Sequence, residues 1–126
     1  MTPLSGPVAG VGWDRTRHLL SRADFVRVSS GGARLEQRHV LGLHVRGAAD
    51  VARVGLTVSR KVGGSVVRNR VRRWLREAMR VRYSRLPRLD LVLVARRAAA
   101  NAGLAALSQD VERLVAVLER QMAEKP

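Results

Sequence analysis

Residues 60–82 read RKVGGSVVRNRVRRWLREAMRVR, and no other stretch limits the possible folds of this chain as strongly. Gly63-Gly64-Ser65 turns the chain into a helix, with Ser65 or Gly64 as its cap. At about 100° per residue, Val67, Val71, Trp74, Leu75, Ala78 and Met79 share one face, a stripe that has to be buried. Asn69, Arg72, Arg73, Arg76 and Arg80 occupy the opposite face, and Arg68 and Arg70 fall on the two shoulders of the stripe. Like charges four residues apart each cost a free helix roughly a few tenths of a kcal/mol. Arg68/Arg72, Arg72/Arg76 and Arg76/Arg80 therefore oppose the helix, and only Glu77, beside Arg73, offers relief. One or two solvated arginines need no explanation. This many of one sign make sense with a polyanion docked against them.

The rest of the chain carries the same bias. Twenty-four Lys and Arg against ten Asp and Glu give a net charge of +14, with Lys61 and Lys125 the only lysines. Arginine's planar fork suits bidentate phosphate contacts and stacks on bases, which favours nucleic acid over a lipid surface. Without cysteine, disulfides and thiolate metal sites are excluded. His18, His39 and His44 lack metal-ligand spacing and read as surface or sheet-face residues. The acidic residues are dispersed, so no carboxylate cluster or histidine pair suggests a protein nuclease. No apolar run approaches the roughly 20 residues that span a bilayer, and MTPLSGPVAGVGW lacks the pattern of a signal peptide. A cytoplasmic protein with no membrane partner is expected.

The 126 residues suffice for one domain with a real core. Residues 1–14, rich in Gly and Pro, read as a flexible tail. Ser21 caps a short helix that turns Phe25 and Val28 inward and ends at Ser29-Ser30-Gly31-Gly32. Residues 33–46 read as an interrupted strand, and 53–59 as a strand with Val54, Leu56 and Val58 on one face. The other face (Gly55, Thr57, Ser59) is small and polar, so it is either solvated or kept open for a ligand. Leu91 to Ala95 is a continuous apolar run, as in a central strand parallel to a neighbour. After a loop over 98–103, a last helix buries Leu104, Leu107, Val111, Leu114, Val115 and Leu118, and frays from Met122. The strand–helix–strand unit predicts an α+β fold, a mixed sheet with helices on one side.

Several short motifs occur at fixed intervals: Asp24-Phe25, Gly32-Ala33-Arg34, Arg53-Val54-Gly55-Leu56, Ser59-Arg60-Lys61-Val62-Gly63, Arg68-Asn69-Arg70, Leu86-Pro87, Ala95-Arg96 and Ala100-Asn101. In this series the chain resembles the bacterial ribonuclease P protein component over roughly Arg15 to Leu118. The resemblance implies a single-domain α/β sandwich of order αβββαβα over 15–121. Its mixed four-stranded sheet would have a ribosomal-protein-like fold with a left-handed βαβ crossover. It also implies an accessory subunit of an endonuclease. The partners would be the catalytic RNA, whose own Mg2+ ions perform the cleavage, and precursor tRNA, with no small-molecule substrate and no metal held by the protein.

Carried over by position, Arg68, Asn69 and Arg70 would contact the catalytic RNA, with Arg72, Arg73 and Arg76 sharing that work or reaching the leader. Phe25, Arg60, Lys61, Leu43 and His44 would line a cleft for the 5′ leader, although Phe25 reads equally well as a plain core residue. The chain departs from the family pattern where aromatic residues are common, holding Val40, Leu43 and Ser29 there with His44 nearby. Base stacking is worth roughly 1–3 kcal/mol per base, so leader binding would rest more on charge, shape and a histidine or arginine face. Gly64 replaces an asparagine common before the basic helix, a change that loosens the turn. Two rivals are a DNA-binding regulator with the arginine helix in a major groove and a structural ribosomal protein.

Overall fold

The computed structural model describes Trp13, His18 and residues 21–47 and 49–124. Its elements, in chain order, are α1 (Arg22–Gly31), β1 (Ala33–Glu36), β2 (Val40–Arg46), β3 (Arg53–Thr57), α2 (Ser65–Arg80), β4 (Leu89–Ala95) and α3 (Gly103–Glu124). Short 3-10 turns at Tyr83–Arg85 and Arg97–Asn101 flank β4, the second replacing part of the expected loop. The interruption expected within 33–46 falls between Glu36 and Val40. The strand expected over 53–59 stops at Thr57, and α3 is continuous to Glu124. Apart from Trp13, the expected tail over 1–14 lies outside the described residues, as do 125–126 of the expected C-terminal fray.

The four strands form one mixed sheet in the order β1-β2-β4-β3. Strand β4 runs antiparallel to β2 and parallel to β3, the arrangement its unbroken apolar run implies. The register sorts the side chains. Leu91 pairs with His44 and Val54, and faces α2 and α3; Val92 pairs with Leu43 and Gly55, and faces α1. Helices therefore cover both faces, not one. Helix α1 brings two apolar side chains, Phe25 and Val28, to the sheet, too short a stripe to reveal its side from sequence.

The larger core lies under α2 and α3. Val71, Leu75, Ala78 and Met79 of α2 meet Leu107, Val111, Leu114, Val115 and Leu118 of α3 over Val54, Leu91 and Leu93. Of the expected α2 stripe, Val67 and Trp74 are half-buried, and on α3 Leu104 stays 40% exposed. Arg82 and Arg85, just beyond α2, clamp its end to α3 through Glu112 and Glu119 at 2.7–3.2 Å.

Two glycines set where the helices begin and end. Gly63 has φ +157°, and a Cβ there would sit 2.9 Å from the Val67 side chain, so a larger residue would displace the first turn of α2. A Cβ at Gly32 would lie 2.3 Å from the Val28 carbonyl oxygen, which forces glycine where α1 hands over to the sheet.

Candidate nucleic-acid interface

Helix α2 starts at Gly64, which has no side chain to cap it, so its first N–H groups are left for other acceptors. On its outer side Asn69, Arg73 and Arg76 are exposed, as is Glu77, which pairs with Arg80 at 2.6 Å rather than with Arg73. The hydrogen bonds from Arg80 hold the Glu77 carboxyl below the usual carboxylate range. Arg72 donates to the Asn69 side-chain carbonyl at 2.9 Å, a neutral partner that leaves its charge uncompensated. Arg68 and Arg70 emerge half-buried on the shoulders of the stripe, and Arg70 lies 5.5 Å over the Trp74 ring. The Nε groups of both are buried without a partner.

Arginines elsewhere are treated differently. Asp90, fully buried on the α1 side of β4, accepts from Arg53 Nε at 3.0 Å and Nη2 at 2.8 Å, and from Arg27. Burial pushes its carboxyl up; the hydrogen bonds and charges of Arg53 and Arg27 outweigh that and leave it below the usual range. Asp24 adds contacts of 3.2 Å to Arg27 and 3.6 Å to Arg53, so this cluster fastens α1 to the sheet. Glu112, between Arg85 and Arg82, is held at about 2. By contrast Arg73 and Arg76 have no acidic partner among the described residues.

Arg60 and Lys61 sit exposed in the turn between β3 and α2. Phe25 packs half-buried against the cluster of Val28, Leu43 and Val92, and with Arg22, Ser29, Ser30 and Thr57 it borders an open hollow of about 470 Å3. Thr57, from the small polar face of β3, is thus brought beside the aromatic ring. Leu43 faces the same side, but α1 covers it to 6% exposure. His44, its neighbour, points to the other side of the sheet, since successive strand residues alternate. It lines a separate pocket with Arg46, Arg88, Leu89 and Leu118, and burial pushes its imidazole down. Leu43 and His44 therefore cannot serve one surface together, and His44 does not share a face with Phe25.

Sequence patterns missed a contribution from the N-terminal segment. Trp13 is only 9% exposed, within the α2–α3 core, and stacks on His18 with ring centroids 4.2 Å apart and planes 8° from parallel. His18 bridges to Val54 on the free edge of β3. The available signal was rarity: with two Trp, one Tyr and one Phe in the chain, a tryptophan in a supposed tail is itself a core candidate.

The family model described as Ribonuclease P matches residues 14–119. The ribonuclease P protein component of Gluconacetobacter diazotrophicus is 45% identical over 103 residues, covering 79% of this chain and 89% of that protein. That of Geotalea uraniireducens is 36% identical over 102 residues, covering 81% and 88%. Among solved structures, the RNase P protein of Staphylococcus aureus superposes with a TM-score of 0.74 at 25% identity, over 80% of this chain and 94% of that one. The RNase P protein of Thermotoga maritima gives 0.68 at 27%, over 82% and 96%.

Proposed function

The chain belongs to the Ribonuclease P protein family, and on that premise we propose that it is the protein subunit of ribonuclease P, binding the catalytic RNA on α2 and the 5′ leader of precursor tRNA beside α1. One observation carries the first half. Arginines that hold the fold together, Arg27, Arg53, Arg82 and Arg85, have carboxylates, whereas Arg68, Arg70, Arg72, Arg73 and Arg76 have none among the described residues. A row of unneutralised guanidinium groups on one rigid helix matches a folded RNA backbone, read through shape and phosphate. Arg60 and Lys61, exposed in the turn that leads into α2, would extend this basic face toward the helix N-terminus.

The leader site is the hollow at Phe25 and Thr57, with Arg22 on its rim, and Arg60 and Lys61 follow Thr57 in the turn that leaves β3. One aromatic ring, small polar neighbours and flanking cations suit a single strand of little sequence preference. In this reading the chain supplies no group that breaks a bond. The magnesium ions would be bound by the RNA. Helix α2 also follows a strand, not a helix, unlike the recognition helix of a helix-turn-helix regulator.

The test is reconstitution. With the RNase P RNA of the same genome and a precursor tRNA at low magnesium, the protein is expected to support multiple-turnover removal of the 5′ leader. A reaction unchanged by its addition would overturn the assignment, and a ribosomal protein or DNA regulator predicts that outcome.

A further inference from the structure

Between the N-terminal segment and α2 lies a pocket of about 230 Å3, lined by Trp13, His18, Arg73, Arg76, Glu77 and Arg80. It differs from the hollow at Phe25 in having a stacked pair of rings as its wall and two α2 arginines without acidic partners among the described residues facing that wall. The wall is the Trp13–His18 stack, pinned from behind by the core and at its edge by the bridge from His18 to Val54. The opposite side is the outer face of α2. Arg80 is occupied by Glu77, the pocket's single acid, so that pair is neutral. Arg73 and Arg76, one turn apart and without acidic partners among the described residues, supply the remaining charge.

We propose that this pocket receives one unpaired base of the RNA bound along α2, packed against the Trp13–His18 pair, with its phosphate held by Arg73 and Arg76. The proposal rests on the ribonuclease P reading and adds to it a place where the RNA is gripped by a base as well as by its backbone. Aromatic contact to a base is sequence-tolerant, since every base offers a π-face, while guanidinium groups beside it fix the strand's path. The grip would sit at the edge of the sheet, away from the hollow at Phe25. The protein would thus hold its two RNA partners by aromatic contacts on opposite faces of the sheet.

His18→Ala tests this, because it removes the outer ring and keeps the backbone bridge to β3. Affinity for the RNase P RNA of the same genome is expected to fall about tenfold, the loss of one stacked base, with the slope of log affinity against log salt unchanged. Arg73→Ala with Arg76→Ala should instead lower that slope, by nearly one unit per lost phosphate contact. A second measurement uses Trp74→Phe, which leaves Trp13 as the only tryptophan: its emission should change on titration with the same RNA. Wild-type affinity in the His18→Ala protein, or Trp13 emission indifferent to saturating RNA, would refute the pocket. If the wild-type protein itself does not bind that RNA, it is the ribonuclease P assignment that fails.

Discussion

Replacing Asp90 by Asn removes one negative charge from the most enclosed polar group of the fold while preserving its shape. Asp90 is 0% exposed and accepts three hydrogen bonds from two guanidinium groups. Withdrawing one member of a buried ion pair costs about 3–5 kcal/mol when the remaining charge is stranded. Here the stranded charges are arginines whose side chains keep 22% and 42% exposure, and Asp24 still contacts both. The cost therefore falls to or below the bottom of that range, about 2–3 kcal/mol, or a fall in Tm of about 10 °C for a domain of this size. The pH dependence supplies a second check. The folded carboxyl lies below its usual value, because Arg53 and Arg27 overcome the upward push of burial. Its stabilisation is therefore complete above the unfolded aspartate value of about 3.9 and disappears as pH falls through the folded one. Urea unfolding followed by circular dichroism should show a constant gap between the two proteins from pH 7 to about 5, closing below about pH 4. A gap under about 0.5 kcal/mol at pH 7, or one that persists in acid, would refute this assignment of the clamp. Because Asp90 fastens α1, the variant should also lose preference for leader-bearing precursors while binding the catalytic RNA unchanged.

Arg68→Ala with Arg70→Ala should weaken binding to the catalytic RNA and flatten its salt dependence, each lost phosphate contact removing nearly one unit of slope. Thermal stability should fall by no more than about 1 kcal/mol, the worth of the Arg70–Trp74 contact; a larger drop in a melting curve would make these arginines structural. Val71→Ala should do the reverse, since Val71 is fully buried: about 2 kcal/mol of stability lost, with the salt slope intact in filter binding. Glu112→Gln removes a carboxylate held at about 2, whose contribution is present above about pH 4.3 and lost as pH falls toward 2. With the side chain 43% exposed, solvent screening limits the effect to under about 1 kcal/mol at neutral pH, measurable as a small Tm difference that vanishes near pH 2.

Period and punctuation made most of the architecture legible. The α2 stripe, the buried β4 run and the Ser21 cap, which accepts from the Asp24 N–H at 3.0 Å, all express local rules that the folded chain obeys. What escaped depends on contacts between distant segments. Nothing local to Asp90 says that Arg53 and Arg27 will surround it, and nothing local to Trp13 says that it will join a core built some sixty residues later. His44 parts from Leu43 for a simpler reason: a strand sends neighbours to opposite faces, so a place in the family pattern does not by itself put both on one surface. Glu77 likewise lay within reach of both Arg73 and Arg80, and the shorter spacing won.

The strand order carries a consequence for the growing chain. Strand β4 lies between β2 and β3, so neither of those earlier strands meets its inner neighbour until residues 89–95 have been synthesised. A nascent chain halted at Pro87 would hold only the β1–β2 hairpin, with β3 and the apolar side of α2 left without the strand that joins them. Because so many contacts span long sequence separations, the sheet should close late and in one step. Translation would then deliver the most basic helix of the protein before the scaffold that orients it.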